Sequence, residues 1–253
     1  MKKIIFLLSA AVVLISCNKV GKDEYIISGT ATGIENGKTI ILETQDATGA
    51  MLPKDTVKVE NGKFEMKGSI TEPAFYAIQL EGAQAKIPFI LENGEVTIAI
   101  NKDSISISKV SGTYNNDEYT SFNQDITKVQ KKLMDFQTKN MQAMNAAQQA
   151  KDTVVINSLM KEFSAIQEEV ATTSKAKYIT YAESHPKSFI SALIIQGMLN
   201  DPTADVAKSE KLYNSLDESL KKTKPGIAIK AKLAEVKGMP AVGAPAAPTT
   251  DAK

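Results

Sequence analysis

Arginine is absent from this 253-residue chain, so all 30 of its basic residues are lysines, and cysteine and histidine occur once each. Each shortage removes a class of chemistry. Without a guanidinium there is no bidentate fork for carboxylate or phosphate, so any phosphate would have to be held by lysine or by backbone N–H groups. A single cysteine, Cys17, can neither close an internal disulfide nor supply a Cys-x-x-C redox pair. A single histidine, His185, lacks the second histidine or cysteine that a zinc site ordinarily needs. Glycine spacing supplies no phosphate loop, no dinucleotide fingerprint opening a helix and no Gly-x-Ser-x-Gly nucleophile turn. No Asp-x-Asp-x-Asp-Gly calcium loop occurs. No cofactor and no metal is expected.

What is present begins at the first residues. Lys2 and Lys3 are followed by an apolar stretch from Ile4 to Ile15, broken only by Ser9. That length suits the core of a secretory leader and is too short for a permanent span. Leu14-Ile15-Ser16-Cys17 resembles a lipobox, the pattern read by bacterial lipoprotein processing. The resemblance implies cleavage after residue 16, a diacylglyceryl thioether on Cys17 and an acylated amine. Two or three acyl chains anchor stably where one does not. Loss of Lys2 and Lys3 leaves 28 lysines against 29 acidic residues, a balance that argues against nucleic acid as a partner. Asn18 is not the aspartate that retains many lipoproteins in the inner membrane, so the outer membrane is favoured, with the periplasmic face preferred over the surface. Lys22-Asp23-Glu24 reads equally as a weak surface-export signal or a solvated tether.

The chain then divides by period. Residues 17–24 read as a lipidated tether, and 25–112 as short strands. Glu-Asn-Gly recurs at 35–37, 60–62 and 92–94. Asn-Gly accommodates the positive φ angles of a type I′ turn, so each repeat predicts a hairpin. Alternation at Val57/Val59 and Val96/Ile98/Ile100 suits strands with one wet face, and Ser104–Ser108 alternates for five residues as a further strand. From residue 113 to 237 the period lengthens to that of helices, with Asn115, Asn116 and Asp117 placed as caps. Tyr119, Phe122, Ile126, Val129, Leu133 and Phe136 stripe a first long helix to about Ala150. Ile156, Leu159, Phe163, Ile166 and Val170 stripe a second, ending before His185-Pro186. Shorter helices are expected over 188–199 and 204–222, with a last one opened by Pro225-Gly226. Residues 238–253 are rich in Pro, Ala and Gly and read as a disordered tail. The expected class is α+β: an N-terminal antiparallel β-sandwich or open barrel followed by a helical region.

Tyr25-Ile26-Ile27-Ser28-Gly29-Thr30, Asp55-Thr56-Val57, Asn61-Gly62-Lys63-Phe64, Pro88-Phe89-Ile90-Leu91-Glu92-Asn93-Gly94 and Asn116-Asp117-Glu118-Tyr119 together resemble a domain of unknown function common in bacterial envelope proteins. That family usually precedes a thioredoxin-like thiol–disulfide oxidoreductase domain. Val242-Gly243-Ala244-Pro245 looks like the start of the junction, but with no Cys-x-x-C the redox residues have no positions here. The resemblance implies a non-catalytic front half without the thioredoxin-like domain.

Remaining candidates read blandly. His185 before Pro186 reads as a helix stop. The adjacent carboxylates Asp23/Glu24, Asp117/Glu118 and Glu168/Glu169 point about 100° apart on a helix and share no face. Met141 and Met144, among Gln142, Gln148 and Gln149, read as the fraying turn of an antiparallel helix pair, with an adaptable partner surface as the alternative. The expectation is a lipid-anchored, non-catalytic binding or interaction module of the envelope, with a membrane contact through Cys17 and an envelope protein as partner. The alternatives are an accessory to envelope thiol–disulfide exchange or cytochrome maturation, and a hydrolase working with carboxylates alone.

Overall fold

The structure, a computed structural model, describes residues 20–46 and 49–238. The leader, Cys17 and the segment 239–253 lie outside the described residues. Eight strands come first: β1 (Glu24–Thr30), β2 (Thr39–Gln45), β3 (Met51–Lys58), β4 (Lys63–Ser69), β5 (Ala74–Leu80), β6 (Lys86–Leu91), β7 (Gly94–Ala99) and β8 (Lys109–Ser111). Six helices follow: α1 (Tyr114–Ala150), α2 (Thr153–Ser184), α3 (Phe189–Asn200), α4 (Val206–Ser215), α5 (Glu218–Lys221) and α6 (Lys224–Gly238). The class is α+β, as expected.

The strands form two four-stranded sheets, ordered β4-β1-β7-β8 and β3-β2-β5-β6. Every pairing is antiparallel except β1 with β7, which is parallel. Alternate residues fill the space between the sheets: Tyr25, Ile27, Ile40, Leu42, Phe64, Met66, Ile78, Phe89, Val96 and Ile98 belong to one buried cluster. Burial of this apolar area contributes on the order of 25 cal/mol per Å². Glycine makes room for the aromatic members. A Cβ on Gly29 would lie 1.9 Å from the Phe64 ring, and one on Gly68 2.5 Å from the Tyr25 hydroxyl. Each is the registered partner of the residue that covers it.

The three Glu-Asn-Gly turns correct the hairpin expectation. Asn61 and Gly62 have φ of 50° and 69°, and Glu60 and Lys63 exchange both backbone hydrogen bonds, so this turn is type I′ in form. Yet β3 before it and β4 after it lie in opposite sheets. The turns at 35–37 and 92–94 have positive φ only at glycine, and they too carry the chain from one sheet to the other. All three therefore mark corners. Their side chains tie the corners together: Asn36 Oδ1 accepts the Asn61 N–H, and Asn93 Nδ2 donates to the Gly21 and Glu24 carbonyls.

Ser104–Ser108 is also corrected. Ile105–Ile107 forms a 3-10 turn with no buried residue, preceded by Asn101, whose Oδ1 accepts the Asp103 and Ser104 N–H groups. Side-chain capping competes with a ladder wherever the alternation is only serine and isoleucine. The expected helix over 204–222 breaks in two, because Asp217 accepts the Ser219 N–H and starts α5 afresh.

A second core surrounds α3. Phe189, Ile190, Ala192, Ile195 and Leu199 pack against Ala182 of α2, Leu212 of α4, Leu220 of α5, and Ile229 and Leu233 of α6. Ile90 of β6 belongs to this core, so the helices grip the back of the second sheet. α1 and α2 pair antiparallel through the two-residue link Lys151-Asp152, with Lys151 left-handed at φ 55° and Asp152 accepting the Val154 and Val155 N–H groups. α1 thus keeps its turns to Ala150. Between residues 127 and 146 of α1, and between 153 and 173 of α2, no residue is buried. A helix pair without a third layer can bury its seam only partly.

Candidate functional site

The junction of the two cores is held by α1's first turn. The expected caps are not caps: α1 begins at Tyr114, its N-cap Thr113 accepts no backbone N–H with its side chain and instead takes the Asn116 Nδ2 on Oγ1, and Asn115 and Asn116 are buried inside the first turn. Asn115 donates from Nδ2 and its backbone N–H to Glu92, and its Oδ1 accepts the Phe189 N–H. One side chain thus joins the β6–β7 corner, the start of α1 and the start of α3. Asn116 bonds the backbone of Ile90. Buried amides without such partners would each cost about 1–3 kcal/mol.

This joint leaves a groove beside it. α1 and α2 run past α3 and cannot close on it where α3 carries Gly197, which is exposed and has no neighbouring atom within 4 Å of where a Cβ would stand. The result is a cavity of about 600 Å³, within the range of ordinary ligand sites. Its floor is Ile190, Leu193, Ile194 and Met198 of α3. Its walls are aromatic: Tyr119 and Phe122 from α1, Tyr178 from α2 and Phe75 from β5. Phe75 meets Tyr119 edge-on at 6.3 Å, and Phe122 leans on Tyr178 at 5.6 Å, which locks the rings in place. The Tyr119 and Tyr178 hydroxyls have no hydrogen-bond partner among the described residues, which leaves two polar groups for a ligand.

The rim is charged and rigid. Asp201 accepts from the Thr203 N–H and hydroxyl, and these bonds, with Lys175 nearby, lower its pKa below the usual carboxylate value. Asp205 accepts the Lys208 N–H at the start of α4. Lys175 of α2 lines the same opening.

On the opposite side of the α1/α2 pair lies a polar cavity of about 460 Å³ that includes Glu118, Tyr181 and His185. Tyr181 donates to Glu118 at 2.6 Å and lies 2.9 Å from Ser188 Oγ. Burial, then the bond to Glu118, raises the Tyr181 phenol well above its ordinary value, so it stays a donor. His185 stacks on Tyr181 at 4.3 Å and holds Nε2 3.6 Å from Glu118. The arrangement gathers a serine, a histidine and a carboxylate, but Ser188 is fully buried and its Oγ already accepts the Ile190 N–H. Its geometry fastens the end of α2 to the start of α1.

The other residues singled out in the sequence lie apart. Met141 and Met144 border a shallower depression with Met160 and Phe163 near the end of the helix pair. Glu169 pairs with Lys132 across α1 and α2. Tyr119 and Phe122 were legible as an apolar stripe, whereas Tyr178, Leu193, Ile194 and Gly197 were not. The one signal for them was a lone glycine inside a mostly apolar helix.

Residues 25–119 match the family model described as Domain of unknown function (DUF4369), the kind of domain that the motifs resembled. The match includes Phe75, Asn115, Asn116 and Tyr119; α2 to α6, which supply the rest of the groove, lie beyond it. No curated protein matches the chain.

Proposed function

We propose, for a chain whose residues 25–119 match this family of unknown function, the role of a lipid-anchored, non-catalytic binding module of the bacterial envelope. Cys17 carries the anchor, and the groove between β5, α1, α2 and α3 takes a short, uncharged, apolar peptide segment of an envelope protein. The observation that carries this is the groove itself: an aromatic-walled, apolar-floored opening held apart by a rigid joint. Two tyrosine hydroxyls suit the backbone carbonyls of an extended segment, and the open side admits a chain rather than enclosing a small molecule. The lipobox supports the tether. The thiol–disulfide accessory reading rests on resemblance alone.

The test is fluorescence anisotropy with a labelled peptide rich in Ala, Val and Pro, titrated with the chain from residue 17 onward bearing Cys17→Ser. Saturable binding that Gly197→Leu abolishes supports the reading, and equal binding by both forms overturns it. Mass spectrometry of the envelope-purified protein checks the anchor: an unmodified Cys17 thiol removes the tether from the proposal.

A further inference from the structure

We infer that the segment 239–253 of this same chain docks in the groove and competes with the external peptide; the inference rests on the peptide-binding reading above. The groove needs an occupant that is apolar, uncharged and low in conformational entropy. Residues 239–250 contain Met239, Pro240, Val242, Pro245 and Pro248 among alanines, with no charge before Asp251. Proline's fixed φ lowers the entropy lost on docking, and aromatic walls are the usual receptors of such segments.

The place where the segment leaves the fold fits as well. α6 ends at Gly238, and Lys237 donates to Glu210 of α4 at 2.5 Å. Glu210 lies five positions after Asp205, the cap of α4 that lines the groove. At 1.5 Å per residue, those five positions span about 7.5 Å. Allowing for the lysine side chain, the exit is on the order of 15–20 Å from the groove rim, against an extended reach of roughly 50 Å for the segment. Docking is therefore within reach and intramolecular, with an effective concentration on the order of millimolar. An external segment must outcompete a resident copy of similar chemistry, which sets a threshold on the partner's affinity.

Two measurements on the chain from residue 17 onward, with Cys17→Ser, test this. A photo-crosslinking residue placed at Ala171, exposed on the groove wall, should join to residues 239–248 within the same molecule. Crosslinks that map elsewhere, that form only between molecules, or that fail to form would overturn the inference. Separately, Val242→Asp with Pro245→Asp sets new carboxylates against Asp201 and Asp205 and should raise the affinity for the labelled peptide by about threefold or more. Unchanged peptide affinity would overturn the inference while leaving the groove as a binding site. Peptide that binds neither form would overturn the groove reading, and this inference with it.

Discussion

The side-chain amide of Asn116 reaches both backbone groups of one residue, Ile90: Oδ1 accepts the N–H at 2.9 Å and Nδ2 donates to the carbonyl at 2.7 Å, while Nδ2 also donates to Thr113 Oγ1 at 2.8 Å. β6 is the last strand of its sheet, so these are the two groups that a further strand would have paired. Asn116 does the work of that strand at one position and binds the sheet to the helices.

Asn116→Ala should accordingly lower the free energy of unfolding by about 2–4 kcal/mol, since it leaves a buried N–H and C=O unpaired. Urea denaturation followed by circular dichroism measures it. A change below about 0.5 kcal/mol would mean that water or a local shift replaces the amide.

Gly197→Leu separates binding from folding. A side chain there meets no neighbouring atom within 4 Å of its Cβ and improves helix propensity, so stability should hold or rise by about 0.5–1 kcal/mol. Affinity for the labelled peptide should fall at least about tenfold as leucine fills the opening. A variant that melts earlier than the parent would contradict the open position assigned to residue 197.

Tyr181 should be among the last of the seven tyrosines to ionise, because burial and its bond to Glu118 both raise its pKa. With no tryptophan in the chain, absorbance near 295 nm reads tyrosinate directly. Tyr181→Phe should remove a late-titrating group from that curve. The sign follows from linkage: a folded pKa above the unfolded value of 10 gives stability that is complete below pH 10 and lost as pH rises through the folded pKa. Unfolding midpoints should therefore drop above pH 10 in the parent, and less in the phenylalanine variant.

The unburied stretch of the helix pair should show in oxidation. Met134, Met141 and Met160 are 57–60% exposed, whereas Met66 is 3% exposed in the sandwich core. Dilute hydrogen peroxide should convert the three helical methionines to sulfoxide well before Met66, as read by peptide mass spectrometry. Comparable rates would place a covering layer over the helices.

Periodicity made most elements legible. The stripe from Tyr119 to Phe136 and the alternation at Val96/Ile98/Ile100 mark the faces that turn inward, mostly half-buried on the helix and buried in the strand, and such patterns are written locally. Pairing is not. Asn61-Gly62 fixes a tight turn but says nothing about whether the strands beyond it stay together, and here they part into different sheets. β1 pairs in parallel with β7, a partner roughly seventy residues away that no local pattern names. The groove was hidden for a related reason: it is the space left where α1, α2 and α3 fail to meet, and a gap has no residues of its own. Only Gly197 hinted at it. Asn115 and Asn116 were visible but misassigned, because a buried amide and a capping amide look alike before the neighbours are known.

The parallel pairing has a mechanical corollary. β1 is the first strand of the described residues and is flanked along its length by β4 and β7, while Asn93 pins Gly21 just before it and Glu24 at its start. A pull applied at the amino-terminal end enters along the axis of an interior strand. The ladders on both sides then resist together in shear, where an edge strand would peel away one bond at a time, so a load from that direction is shared by two ladders at once.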